Sequence, residues 1–441
     1  MEQIKINNSV IKIVGLLEAT PARSISKVED KFTKAGFTLD KFPLDENGLK
    51  NERSIKFLQD AFYKEFREIM FLDSYSINPK RLFKKIGSQV SLIKKVKVKD
   101  DWIEKVFPVN ISNVEVFLFP GQIGLFSLTI KLDQLSNTLQ DLSDVLFLVR
   151  QFDSLTADGE EWHSWITKNC IAGTNLRGDN VKIDDFSGSK FKLFTVLDAE
   201  VSTKEQDQLL YELGTVSPIG SLLADQTYAP SKAYYELLMD QNTISAFNNW
   251  KVLCLFDTFT CVGQNQLQNP AAVTTWEYTY FRIYLYRLFL KFNLFRYNSD
   301  FDNDTIQIRD QFENFLNSYN ISTISFNFLP NLFYDKIGKS LDLDTELASF
   351  QARINRISQA IQEEKQARTN NLLQLVSILG GITSLGPVFE ILTKVKSFLG
   401  WNDIQLYSTL FIVSSSIGTG LLIYLMPDKY QKFKSWWKSK K

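Results

Sequence analysis

The sequence predicts an α/β or α+β cytoplasmic domain, followed by one long stalk helix and two transmembrane helices. Apolar runs of strand length alternate with amphipathic segments over the first half of the chain. A narrow apolar seam then begins at Leu347, and two uncharged, mainly apolar runs follow it. The expected divisions are a cytoplasmic domain at 1–300, a helical region with the stalk helix at 301–368, a first transmembrane helix at 369–393, an outer loop at 394–403, a second transmembrane helix at 404–427, and a basic cytoplasmic tail at 428–441.

Composition excludes several classes of function. The 50 Lys and Arg residues balance 50 Asp and Glu residues, so the chain lacks the basic excess of a nucleic-acid-binding protein. Its 3 cysteines, which form no CxxC pair, and its 1 histidine, His163, are too few for a typical zinc site. The chain carries no GxSxG elbow, phosphate-binding P-loop or GxGxxG motif, so we expect no enzyme, no catalytic residues and no resident cofactor.

The first half contains a predicted hairpin and a helix that covers it. The segments VEVFLFP and GQIGLFSLTI meet at Pro120 and Gly121, as two antiparallel strands joined by a turn would. The following segment, LDQLSNTLQDLSDVLFLVRQF, has apolar residues at spacings of three and four. The pattern predicts a helix that packs on the sheet.

The stalk helix is predicted from one repeating face. Its apolar residues alternate at spacings of three and four, while the positions between them are Gln, Arg, Asn, Glu and Lys: Leu347, Phe350, Ile354, Ile357 and Ile361. A narrow apolar face on a solvated helix needs a partner. We therefore predict that these residues form the oligomer seam.

Two uncharged runs follow the seam. Residues 369–389 form a run of 21 residues without a charge, and residues 404–427 form a second run of 24. Each has the length that a bilayer requires. Lysines concentrate after 428, whereas the connecting loop holds Lys394 and Lys396, so the positive-inside rule predicts that both termini face the cytoplasm.

The first uncharged run carries a stripe of small and polar residues: Asn370, Gln374, Ser377, Gly381 and Ser384. Their spacings of four, three, four and three place them on one side of a helix. One interpretation is a pore lining, in which amide and hydroxyl oxygens replace part of the hydration shell of an ion. The other is a close helix-to-helix contact. A pore would require an oligomer, because two spans are too few to enclose one.

The region from about Leu341 to Lys441 resembles the CorA superfamily of divalent cation channels. The resemblance is strongest over ELASFQARINRISQAIQEEKQARTNNLLQLVSILGGITSLGPV, which is similar to the stalk and pore helix of that family. The family carries a Gly-Met-Asn signature at the outer pore mouth. Here Gly400, Trp401 and Asn402 stand in its place and depart from that signature at the middle position, so Gly400 and Asn402 are the predicted outer-mouth residues.

The resemblance implies a homopentamer in a bacterial inner membrane that passes divalent cations such as Mg²⁺, either transported or regulatory. The sequence alone identifies no residue as a metal ligand. A second hypothesis is an effector of a bacterial antiviral system that permeabilises the membrane when a small molecule or a protein triggers it. A third is a non-conducting scaffold that the two spans anchor to the bilayer.

Overall fold

The structure is a computed structural model, and it describes residues 4, 6–17, 25–39, 52–71, 80–98, 101–119, 123–132, 138–150, 156–172, 190–222, 229–301, 305–383, 390–391, 393–395, 398, 400, 402–405, 407–408 and 411–412. The chain divides into two compact units, Met1–Phe350 and Gln351–Lys441.

The strands are β1 (Ile6–Leu17), β2 (Thr38–Leu39), β3 (Lys80–Val98), β4 (Asp101–Phe119), β5 (Ile123–Leu132), β6 (Thr156–Ala157), β7 (Glu160–Glu161), β8 (Lys192–Ala199), β9 (Thr243–Phe247), β10 (Trp250–Cys254) and β11 (Thr258–Gly263). The helices are α1 (Ile25–Lys34), α2 (Glu52–Ala61), α3 (Lys64–Met70), α4 (Leu139–Val149), α5 (Trp162–Asn169), α6 (Thr203–Thr215), α7 (Lys232–Asn242), α8 (Pro270–Thr274), α9 (Phe281–Asp300), α10 (Thr305–Tyr319), α11 (Phe328–Ser340) and α12 (Leu343–Thr383). A π-helical segment, Thr275–Tyr280, joins α8 to α9.

The strands form one mixed sheet in the first unit. Their order is β7-β6-β3-β4-β5-β1-β8-β11-β10-β9, and β2 pairs with β3. The pair formed by β8 and β11 is parallel, whereas β1 is antiparallel to both β5 and β8. The predicted hairpin is confirmed, since β4 and β5 pair from Val114 opposite Leu128 to Phe119 opposite Ile123.

The central strands are buried on both faces. Residues 10–17 of β1 and every residue of β8 and β11 are buried. Side chains alternate between the two faces of a strand, so complete burial means that helices cover both sides of the sheet. This explains why these strands read as nearly continuous apolar runs in the sequence.

One face of the sheet carries an apolar core. Ile11 and Ile13 of β1 belong to it, together with side chains from four helices: Phe32 of α1, Leu142 and Leu146 of α4, Trp162 of α5 and Leu210 of α6. The predicted covering helix is thus present as α4. Its first turn is capped by Thr138, whose hydroxyl accepts a hydrogen bond from the backbone N–H of Asp141 at 3.1 Å.

Aromatic rings fill the opposite face. Phe119 of β4 stacks on Phe289 of α9, with ring centroids 4.0 Å apart. Phe194 of β8 lies 5.3 Å from Phe281 and 5.8 Å from Tyr284. The α9 helix is therefore fixed to the sheet by ring packing along its length.

A buried ion pair lies within this aromatic layer. Lys12 is on the face of β1 opposite Ile11 and Ile13, and its Nζ donates a hydrogen bond to Oε2 of Glu115 at 3.0 Å. The hydroxyl of Ser127 donates to the same oxygen at 3.3 Å. Lys12 Nζ is also 4.4 Å from the ring centroid of Phe281. Together these contacts replace the water that both charges lose on folding.

The longest strands form a hairpin with an irregularity that glycine permits. The pairing of β3 with β4 runs from Lys80 opposite Leu118 to Val98 opposite Asp101, and its register shifts between Lys85 and Ser88. Gly87, within that shift, has φ 60°, a left-handed conformation that costs other residues more.

The predicted transmembrane helices require correction. Across the described stretches, no helix combines the length and the apolar character needed to cross a bilayer. In α12 the charged part of the helix continues to Arg368, and Asn370, Asn371 and Gln374 then lower the hydropathy of the remainder. Most of 384–393 and 404–427 lies outside the described residues. This finding overturns the predicted pair of transmembrane helices, and with it the predicted multi-pass inner-membrane localisation and the assignment of this chain as a membrane channel.

We expect Lys12 and Glu115 to depend on each other for stability, because a buried charge that has lost its partner destabilises the fold. The change Glu115→Ala leaves Lys12 buried without its carboxylate and should lower the free energy of unfolding of the first unit by about 3–5 kcal/mol. The double variant Lys12→Met/Glu115→Leu removes both charges and should regain most of that loss. Guanidinium denaturation followed by tryptophan fluorescence measures both. Equal losses in the single and double variants would show that side-chain packing, rather than the charge pair, is responsible.

The three cysteines should be unreactive in the folded protein. Cys170, Cys254 and Cys261 are all buried. Burial raises the pKa of the Cys170 thiol to about 12 and also raises the pKa values of the other two. At pH 8, below each of these values, the thiols stay protonated, and the thiolate is the reactive form. We expect almost no reaction with Ellman's reagent until denaturant is added. The exposed position in Ser245→Cys supplies a control thiol that should react at once, whereas rapid reaction of the wild type would contradict the burial of its cysteines.

Candidate functional site: the apolar face of the long helix

The long helix starts from a tight connection to the helix before it. Leu341 caps α11, and Asp342 adopts a left-handed conformation with φ 53° before α12 begins. Asp344 and Glu346 lie in the first turn of α12, where the N-terminal helix dipole favours negative charge. Glu346 also forms an ion pair with Lys291 of α9, whose side chain is buried. The first turn of α12 is thus held to α9 by an ion pair.

Phe350 lies in an aromatic pocket of the same chain. Its ring centroid is 4.7 Å from that of Phe312, 5.5 Å from Phe301 and 6.3 Å from Tyr297. Phe350 is buried. The predicted seam assigned this residue to contacts between copies, but α9 and α10 already supply its partners.

The remaining seam residues follow a gradient of exposure along α12. Ile354 is buried, whereas Ile357 and Ile361 are partly exposed. At about 100° per residue, the same side of the helix next reaches Leu372 and Leu375, after an interruption by charged residues. These two leucines are 64% and 54% exposed.

Exposed apolar side chains therefore form a surface on the second half of α12, which charged residues interrupt between Ile361 and Leu372. We define the apolar face as Ile357, Ile361, Leu372, Leu373, Leu375 and Val376. The last four are each more than half exposed in the single chain. Large contiguous apolar surfaces of this kind are typical of interaction sites.

The predicted polar stripe lies on the other side of the helix. Asn370, Gln374 and Ser377 are exposed, and their spacings of four and three place them in one line, opposite Leu372 and Leu375. The Ser377 hydroxyl donates to the carbonyl oxygen of Leu373 at 2.8 Å, so it is satisfied within its own helix. The second half of α12 is therefore amphipathic.

The other predicted site residues are placed as follows. Gly381 belongs to α12, whereas Ser384 lies outside the described residues. Gly400 has φ 68°, a turn conformation that favours glycine. Asn402 begins a short helical segment, because its Oδ1 accepts from the backbone N–H of Gln405 at 2.8 Å while Gln405 Oε1 accepts from the backbone N–H of Asn402 at 3.2 Å. The structure thus gives Asn402 a capping contact.

Neither a metal site nor a hydrolytic triad is assembled in the described parts of the chain. No group of three His, Cys, Asp or Glu side chains there is arranged to hold a metal ion. His163 approaches Ser164 at 3.3 Å and Glu161 at 3.6 Å, but both distances involve the same ring nitrogen, Nε2. A triad requires one nitrogen for the nucleophile and the other for the acid, so this trio lacks that geometry.

Sequence reasoning missed the surface that the structure exposes. Leu372, Leu373, Leu375 and Val376 were assigned to lipid because the run around them carries no charge. The signal that identifies a face is the angular position of Leu372 and Leu375 opposite Asn370 and Gln374. Searches against protein-family models, curated proteins and solved structures give no match for this chain.

The pocket around Phe350 yields a stability prediction. Phe350→Ala should lower the free energy of unfolding by about 3–5 kcal/mol, because it removes a buried ring and leaves a cavity between α9 and α10. Leu347→Ala, at a partly exposed position of the same seam, is the matched control and should cost less. Denaturant titration at two protein concentrations measures both. If the loss at Phe350 grows on dilution, the residue contributes to contacts between copies instead.

Proposed function

We propose that this protein is a self-associating α/β protein, in which several copies assemble through the apolar face of α12. The observation that carries the proposal is the exposure of Leu372, Leu373, Leu375 and Val376 on one helix of 41 residues. A large apolar surface in contact with water is costly, and burial against a second surface removes that cost.

The charge pattern of α12 favours another copy of this chain as the partner of the apolar face. Residues 369–383 carry no charge, so matching leucines of two copies can approach each other without like-charge repulsion. Just before them, Glu363, Glu364, Lys365 and Arg368 supply two charges of each sign. Such a mixed segment can pair with a copy of itself, as the flanking positions of coiled coils do.

The spacing of the face also favours another helix as its partner. Ile357 and Ile361 are four residues apart, and Leu372 and Leu375 are three apart, which are the spacings of side chains that interlock between helices. The Asn370 and Gln374 side chains stay on the solvated side in this arrangement. The α12 helices of several copies would form a bundle.

Self-association does not depend on the membrane helices that the channel, effector and anchored-scaffold hypotheses required. A homopentamer and the passage of divalent cations stay predictions from the resemblance. The proposed property is association through α12, and the measured mass of the assembly gives the number of copies.

The test is the mass of the full chain in solution. Sedimentation velocity and native mass spectrometry should give a species several times the 50.8 kDa of one chain. The double variant Leu372→Lys/Leu375→Lys should weaken association by at least about tenfold, because it places charges in the contact.

Leu237→Lys is the matched control, because Leu237 of α7 is also an exposed leucine, at 55%. This change should leave the mass unchanged. A wild type that stays monomeric at high concentration, or a double variant that assembles as the wild type does, contradicts the proposal.

A further inference from the structure

The spacing of the seam continues beyond Ile361 into charged and polar residues. Steps of three and four from Ile361 reach Glu364, Arg368, Asn371 and Leu375, all of which are exposed in the single chain. Two charges therefore lie on the same side of α12 as the apolar residues before and after them. A second copy that packs on the apolar face must also pack against these charges.

The two charges already neutralise each other within the helix. Arg368 Nη2 is 2.5 Å from Glu364 Oε1, and the two side chains stay 75% and 63% exposed. Water therefore still solvates both groups in the single chain. When a second helix covers them, each charge needs an opposite charge close by, because a covered charge without a partner is costly.

Copies that run in the same direction do not meet this need. In a parallel contact, each layer contains the same residue from both helices. Glu364 of one copy would lie opposite Glu364 of the other, and Arg368 opposite Arg368. Both layers would bring like charges together where the contact excludes water, which disfavours this orientation. The parallel helices of a ring such as the homopentamer would meet the same repulsion.

Copies that run in opposite directions place unlike residues together. When the two helices cross at the level of Gln366, Glu364 of each copy lies opposite Arg368 of the other. Ile357 lies opposite Leu375 in the same register, because both pairs are symmetric about Gln366. One register thus provides opposite charges for the charged layers and an apolar partner for the apolar layer.

Two residues oppose this register, but by less. Ile361 meets Asn371, and a single polar residue in a seam lowers stability while it fixes the register. The Lys365 side chains of the two copies lie near each other at the edge of the contact. Water and salt screen their charges there, and their long side chains can turn away. Glu364 and Arg368 lie inside the contact, where screening is weaker, so they decide the orientation.

We propose that copies of α12 pair in antiparallel orientation about a twofold axis at the level of Gln366, with Glu364 of each copy beside Arg368 of the other. The pairing rests on the proposed self-association and specifies its direction and register. A twofold contact uses the same surface on both copies, so it joins them in pairs. The assembly then contains an even number of chains.

Disulfide cross-linking of the full chain tests the direction. Ile357 and Leu375 are 18 residues apart. Cysteines at these positions lie about 27 Å apart along one helix and cannot bond within a chain. Oxidation with copper phenanthroline should link the double variant Ile357→Cys/Leu375→Cys into dimers on a non-reducing gel, whereas neither single variant should form them. The wild type is the control, because its three cysteines are buried.

The outcomes separate the direction of pairing from self-association itself. Dimers of either single variant show parallel helices, and they overturn the antiparallel pairing while self-association stands. A double variant that has the mass of an assembly but forms no dimers on oxidation has the same meaning. A wild type that is monomeric by sedimentation velocity at high concentration overturns both proposals.

Charge reversal tests the register independently of added cysteines. Glu364→Arg should weaken association by about tenfold or more, because it sets two cations against each other across the contact. The double variant Glu364→Arg/Arg368→Glu restores opposite charges and should regain most of that loss. Sedimentation equilibrium measures both.

Glu363→Arg is the matched control for the reversal. It makes the same change in charge one residue away, but Glu363 is exposed on the side of the helix opposite Ile361. This variant should associate as the wild type does. Equal association of Glu364→Arg and the wild type, or a double variant as weak as Glu364→Arg alone, overturns the proposed register.

Discussion

The burial of both faces of the central sheet is the constraint on which the rest of the first unit depends. Residues 10–17 of β1 and all of β8 and β11 have no solvated side, so the charged groups they carry need partners within the protein. Lys12 shows the result. Its ammonium group donates to the carboxylate of Glu115 on β4 and lies over the ring of Phe281 of α9.

The two helical layers meet this constraint in different ways. On one side, α4, α5 and α6 supply mainly aliphatic side chains and two tryptophans. On the other, α9 supplies aromatic rings interspersed with buried cations, including Arg287, which lies 3.3 Å from the ring centroid of Tyr334. Gly338 leaves room for that guanidinium, because a Cβ there would approach it to 2.6 Å. The aromatic layer thus accepts charge that an aliphatic layer would exclude.

The same arrangement links the sheet to the long helix. Lys291 of α9 contacts Glu346, and the rings of α9 and α10 enclose Phe350, so the first turns of α12 are held by both charge and packing. Farther along, the proposed assembly surface begins where such partners end. Arg150 and Lys192 belong to the same charged region as Lys291, beside the first residue of the central strand β8.

Local patterns in the sequence determined several elements. The β4–β5 hairpin and α4 follow from alternation and from the three-and-four spacing, both of which act between near neighbours. The long helix and the first part of its apolar face, at Ile357 and Ile361, follow from the same spacing. An uncharged run, however, looks the same whether lipid, another helix or a second copy covers it, and that ambiguity produced the incorrect transmembrane helices.

Only the tertiary structure decided which partners those patterns meet. Arg150, Lys192 and Lys291 are separated by dozens of residues, and their convergence depends on the parallel pairing of β8 with β11 and on the position of α9 over the sheet. Phe350 finds its partners in α9 and α10, although its spacing alone fitted another copy equally well. The sequence determined which side chains share a face, because helix and strand geometry is local, whereas the choice of covering surface depends on packing between distant segments.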